Sequence, residues 1–81
     1  MKKIEITEIV KNCIIDILGD IDGGIDITKS LKEYGATSID RADISIDAMK
    51  AIGCKIPLVE FGTVNNIEGL VNVLYEKQYV K

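Results

Sequence analysis

Thr37-Ser38-Ile39-Asp40-Arg41-Ala42-Asp43-Ile44-Ser45-Ile46-Asp47-Ala48-Met49-Lys50-Ala51-Ile52-Gly53 decides the fold. At roughly 100° per residue, Ile44, Ala48, Ala51 and Ile52 share one side of a helix, while Ile39, Ala42, Ile46 and Met49 share another. Asp40, Asp43, Asp47 and Lys50 fill the stripe between them. Thr37 and Asp40 have the spacing of a capping box, in which each side chain bonds the other's backbone N–H. Gly53 is placed to end the helix after Ile52. A helix packed on one side needs a single apolar stripe. This one has two, so the arc of Ile39, Ala42, Ile46 and Met49 is either a second core contact or a partner surface, and the pattern leaves both open.

The segments on either side are also helical in period. Ile6, Ile9, Val10, Cys13, Ile14, Ile17 and Leu18 recur at helical spacing over about Ile4 to Leu18, with Gly19 as the stop. Ile67, Leu70, Val71, Leu74 and Tyr75 share one face of a segment from Asn66 to about Tyr79, capped by Asn65 or Asn66, and the tail from Gln78 to Lys81 is expected to fray. Between Lys55 and Gly62, Pro57 suits the first position of a short helix and Gly62 its end. The connection from Gly19 to Thr37 is rich in Gly and Asp and long enough to be expected mobile. Within it, Ser30 to Gly35 form one turn that docks Leu31 and Tyr34 on the core. The expectation is an all-α fold: a small bundle of three main helices plus one short helix, with a long first loop.

At 81 residues, the stretch 1–81 is expected to be one domain with one core and little room for a deep catalytic cleft. No apolar run approaches the roughly 20 residues of a membrane span, and Glu5 and Glu8 break any signal-like N-terminus. The reading is therefore a soluble, cytoplasmic monomer with no membrane partner. A net charge of −3 and no basic cluster beyond Lys2-Lys3 argue against nucleic acid. Cys13 and Cys54 each sit among apolar residues and read as two reduced core thiols. Histidine is absent, so no Ser-His or Cys-His pair and no zinc-spaced set can be assembled. No catalytic residue and no metal ligand is assigned.

Ser38 is the one nucleophile in a distinctive place. It opens a helix, where free N–H groups and the positive dipole end favour an anion. Nothing nearby can take its proton, so it suits attachment better than catalysis. Capping alone would also explain a serine here.

Gly35-Ala36-Thr37-Ser38-Ile39-Asp40 resembles the phosphopantetheine attachment motif of acyl carrier proteins, usually Gly-x-Asp-Ser-Leu. Leu31 and Tyr34-Gly35 stand where that family has Leu-x-x-Leu-Gly, Ile56-Pro57 matches its Ile-Pro, and Asn66-Ile67 through Leu74 resembles its last helix. The resemblance implies a non-catalytic carrier. It would hold acyl groups as thioesters on a 4'-phosphopantetheine arm, attached to Ser38 from coenzyme A by a phosphopantetheinyl transferase. It also implies that the second long helix turns an outward face to partners: Ile39, Asp40, Arg41, Ala42, Asp43, Ile46 and Asp47, with Leu58 and Phe61 beside them.

Two departures narrow the match. Thr37 replaces the usual Asp, and Arg41 and Lys50 make the second helix less acidic than in fatty-acid carriers. Gly35-Ala36-Thr37-Ser38-Ile39-Asp40-Arg41 followed by Pro57-Leu58-Val59-Glu60-Phe61 is similar to the free-standing donor carriers of polyketide β-branching cassettes. That likeness implies malonyl loading by an acyltransferase and decarboxylation to acetyl by a ketosynthase-like enzyme. Acetyl transfer to a synthase of the hydroxymethylglutaryl type would follow. A general acyl or aminoacyl carrier, or a helical interaction module with no prosthetic group, are the competing readings.

Overall fold

The computed structural model describes residues 2–62 and 64–78. Three α-helices, α1 (Lys3–Leu18), α2 (Ser38–Ile52) and α3 (Ile67–Lys77), are joined by a long first connection and a shorter second one. Each connection contains one short 3-10 helix, Lys32–Tyr34 in the first and Leu58–Phe61 in the second. Among the described residues there is no strand, and no helix is long and apolar enough to cross a membrane.

The expected stripe of α1 is the buried one. Ile6, Val10, Cys13 and Ile14 face inward, and Ile9, Ile17 and Leu18 pack at its edges. The Lys2 N–H donates to the Glu5 carboxylate at 2.9 Å, satisfying one free donor of the first turn. In α3, Ile67, Leu70, Val71 and Leu74 are buried, but Tyr75 lies at the rim and is exposed. Asn66 is the cap: its side-chain oxygen accepts from the Gly69 N–H at 2.7 Å. Of the tail expected to fray from Gln78, Gln78 itself keeps its N–H on the Leu74 carbonyl at 3.0 Å, and residues 79–81 lie outside the described residues.

In α2 the two arcs divide differently from their sequence pattern. The buried stripe takes Ile44 and Ala48 from one arc and Met49 from the other, with Ser45 lying among them. Ala51, expected inside, is exposed, and Ile52 is half-buried. Burial of Ser45 costs little because its hydroxyl donates to the Arg41 carbonyl one turn back at 2.9 Å. Ile39 is 73% exposed, whereas Ala42 and Ile46 are half-buried. The second arc is therefore mixed: Met49 is core, Ile46 packs against the core's edge, and Ile39 stands free.

Pro57 precedes the second short helix, where a first-position role was expected. Its ψ of 136° keeps it extended, and Leu58 begins the turn.

The first connection, expected to be mobile, is pinned along its length. Ile21, Ile25 and Ile27 pack against the core, and Leu31 and Ala36 are part of it. The carbonyls of Ile27 and Lys29 accept the Glu68 and Ile67 N–H groups at 2.8 and 3.0 Å, closing the first turn of α3 with loop backbone. The Tyr34 hydroxyl accepts from the Asp26 N–H at 2.7 Å, and the Lys29 ammonium lies 6.0 Å from the Tyr34 ring centroid. Ser30 and Glu33 form a further reciprocal cap on the short helix, with bonds of 2.6 and 3.2 Å. Gly35, at φ 87°, makes the left-handed turn that redirects the chain into α2, a conformation costly for any residue with a Cβ.

Both cysteines are free, Cys13 buried and Cys54 half-buried. Burial first, then the carboxylates of Asp47 and Asp16, hold the Cys13 thiol above its ordinary 9.0. A raised thiol pKa favours the protonated folded state. That contribution is present below about pH 9 and is lost as pH rises through the folded value. Alkylation of Cys13 in the folded protein at pH 9 is expected to be slower than in urea-unfolded protein, and equal rates would contradict its burial.

Ile6, Val10, Ile14, Ile44, Ile67, Val71 and Leu74 have essentially no exposed surface. Removing such a side chain from water contributes roughly 1.5–3 kcal/mol. Ile14→Ala is expected to cost about 2–5 kcal/mol in urea denaturation, because the transfer loss adds to the cavity left behind. A cost below about 1 kcal/mol would place Ile14 outside the core.

Candidate functional site

The site begins with the start of α2. Thr37 is extended, with ψ 174°, and its hydroxyl accepts from the Asp40 N–H at 3.1 Å while the Asp40 carboxylate accepts from the Thr37 N–H at 3.0 Å. The capping box read from sequence is therefore present in both directions. It makes Ser38 the first helical residue. Ser38 is exposed, and its Oγ accepts from Arg41 Nη2 at 3.2 Å.

Beside Ser38 lies a groove of about 550 Å³. Ser38, Arg41 and Ala42 of α2 form one wall, and Leu58 and Phe61 form part of the other. Buried Leu31, Ser45 and Leu70 reach its floor, and Lys32 stands at its edge. Lys32 and Ser45 were not singled out in the sequence. Lys32 carried no signal because only the fold brings it to the groove. Ser45 had a weak one: a serine amid apolar neighbours can bury itself by bonding the carbonyl one turn back.

Of the residues expected to meet partners, Arg41, Ala42, Leu58 and Phe61 line this groove, whereas Ile39, Asp40, Asp43, Ile46 and Asp47 do not, and Asp47 lies close enough to Cys13 of α1 to raise its thiol pKa. Ile39, Arg41, Asp43, Asp47 and Leu58 are exposed; Asp40, Ala42, Ile46 and Phe61 are half-buried. Asp43 and Asp47 lie one turn apart on α2, while Arg41 points back to Ser38. Val59, at 81% exposure, is more open than Leu58 or Phe61 and was not among the expected contacts. No cluster of three or more potential metal ligands occurs among the described residues.

An exposed hydroxyl at a helix start, beside a groove and within reach of a guanidinium, has the chemistry of an anchor for an anionic group. Residues 8–74 match the family described as the phosphopantetheine attachment site, and the chain belongs to that family. It is an acyl carrier protein, whose cofactor is covalently bound 4'-phosphopantetheine.

Among relatives, it is 37% identical over 78 residues to the polyketide biosynthesis acyl-carrier-protein AcpK of Bacillus subtilis (strain 168), with 95% of each chain covered. Among solved structures, it is similar to a chain of the curacin biosynthetic pathway HMG synthase in complex with acetyl donor-ACP. The TM-score is 0.86 at 29% identity, covering 95% of this chain and 100% of that one. The three-helix architecture is thus that of an acyl carrier protein.

The geometry at the start of α2 fits the prosthetic group. Ser38 is exposed, and the first-turn N–H groups and Arg41 favour a negative charge there. The groove leaves room beside it. Thr37→Ala removes the acceptor for the Asp40 N–H and is expected to cost about 0.5–2 kcal/mol. Faster hydrogen exchange at Asp40, with the α1 and α3 amides unchanged, is the accompanying signature. Unchanged exchange at Asp40 would mean that the cap does not fix this end of α2.

Proposed function

We propose that Ser38 holds the phosphopantetheine arm and that the protein is a non-catalytic acetyl donor in polyketide β-branching. When bound, the arm's terminal thiol supplies the thioester by which the acyl group is carried. The chain's own residues present Ser38 at a capped helix start, oppose a phosphodiester with Arg41, and frame the groove with Lys32 and Phe61.

One observation carries the donor reading: likeness along nearly the whole chain to the carrier-sized partner in the HMG synthase complex with acetyl donor-ACP. The Asp40-Arg41 pair and the run from Pro57 to Phe61 support the same reading. The partners that follow are a phosphopantetheinyl transferase, an acyltransferase, a decarboxylating ketosynthase-like enzyme and a hydroxymethylglutaryl-type synthase.

The docking face in this reading centres on exposed Ile39 and Leu58, with Ala42, Ile46 and Phe61 at its base and Asp40, Asp43 and Asp47 on its rim. Rim charges act mainly on the association rate, and Arg41 adds a positive point that disfavours partners built for uniformly acidic carriers.

Acetyl transfer to a hydroxymethylglutaryl-type synthase, followed by mass spectrometry, tests the donor role. The acetyl-loaded protein is expected to donate readily and an acetyl-loaded fatty-acid carrier poorly. Asp43→Lys or Asp47→Lys is expected to slow capture by roughly ten-fold at low salt and to flatten the salt dependence. Equal transfer from both carriers would leave a general acyl carrier and remove the donor assignment.

A further inference from the structure

The groove beside Ser38 departs from the charge of the molecule around it. The chain has 13 Asp and Glu side chains and 10 Lys and Arg, yet among the described residues the groove is lined by Lys32 and Arg41 and by no carboxylate. Of the acids adjacent to its lining residues in sequence, Asp40 accepts from the Thr37 N–H and Glu33 from the Ser30 N–H, while exposed Asp43 and Glu60 are not among the groove's lining.

Arg41 is under-used as it stands. A guanidinium offers five N–H donors in a planar fork. Among the described residues its one side-chain hydrogen bond goes to Ser38 Oγ at 3.2 Å. A neutral hydroxyl is a modest partner for that fork. Phosphodiester oxygens, one bond beyond Ser38 Oγ, are a much better one, because guanidinium and phosphate pair bidentately. The Asp40 carboxylate opposes an anion at this end of α2, so the cationic partner matters more here than at an uncontested helix start.

We propose that Arg41 is the positioning residue of the prosthetic arm. Its guanidinium holds the phosphodiester on Ser38 and lays the near part of the arm along the groove toward Phe61, with Lys32 reinforcing the field from the opposite edge. The inference rests on Ser38 being the attachment residue and adds to it a counter-ion and a direction. Arg41 in this role acts within the carrier, apart from any contact it makes with a partner. The pair is exposed, so salt weakens it.

The test uses isotope-labelled apo and holo protein as wild type, Arg41→Ala and Arg41→Lys. Intact mass and peptide mapping establish that each holo sample carries one arm and where. NMR then follows the Arg41 Nε–H and the backbone amides of Lys32, Phe61 and Asn65 from apo to holo. In wild type all four are expected to move, and to move back as salt is raised. In Arg41→Ala the docked population is expected to fall by up to about five-fold, shrinking the shifts at Phe61 and Asn65. Arg41→Lys should lie between, because an ammonium keeps the charge and loses the fork.

The wild-type Arg41 signal decides the matter even if a variant resists modification. An arm on Ser38 with Arg41 unmoved, or equal groove shifts in wild type and Arg41→Ala, would overturn this proposal alone. An arm mapped to another residue would overturn the attachment reading and this proposal with it.

Discussion

The reciprocal bond between Thr37 and Asp40 fixes where α2 begins, and the site depends on that boundary. A start one residue later would leave Ser38 outside the helix as its cap, and an earlier start would carry it away from the free N–H groups of the first turn. The two hydrogen bonds, at 3.0 and 3.1 Å, leave Ser38 as the first helical residue, with its hydroxyl exposed and its backbone among the free donors of the first turn. The same boundary puts Arg41 one turn on, where its guanidinium reaches back to Ser38 Oγ. Thr37 therefore does the capping work of the family's usual Asp without adding a negative charge beside Ser38. The anion-favouring end of the helix is less opposed as a result.

The rest of the molecule holds that boundary still. Ala36, two residues before Ser38, is buried, and its N–H donates to the Leu31 carbonyl at 3.1 Å. Leu31 is itself in the core, and the loop upstream of it lends carbonyls to the first turn of α3. A loop that satisfies another helix's free N–H groups cannot move without exposing them. The first connection thus ties the start of α2 to the start of α3, the two ends that border the groove.

Much of this was legible in the sequence. The stripe of α1, that of α3 apart from Tyr75, the glycine stops at Gly19, Gly53 and Gly62, the Thr37–Asp40 cap and the short turns at Tyr34 and Phe61 follow from period and residue chemistry, and the structure has each of them. What did not follow were facts set by tertiary packing. Two apolar arcs on α2 left open which way the helix would roll. It rolled so that Met49 and Ser45 went in and Ala51 stayed out, a choice set by α1 and by Ile56, whose N–H donates to the Met49 sulfur. The pinning of the first loop was hidden because its anchors, Ile21, Ile25 and Ile27, alternate with Gly and Asp and read as a flexible linker. The groove was hidden because Lys32, Phe61 and Leu70 are far apart in sequence, and only the fold brings them together around it.

A carrier works by exposing one nucleophile to modification while withholding chemistry of its own. With no histidine in the chain, Ser38 has no imidazole base, and among the described residues its hydroxyl is bonded to a guanidinium alone. The partner supplies the proton transfers, and the carrier supplies a fixed address. Incubation with coenzyme A and a broad-specificity phosphopantetheinyl transferase, followed by intact mass and peptide mapping, measures that address directly. Wild-type protein is expected to gain one phosphopantetheine, on the peptide containing Ser38, and folded Ser38→Ala is expected to gain none. Modification of Ser38→Ala, or an arm mapped to any other residue, would contradict the account.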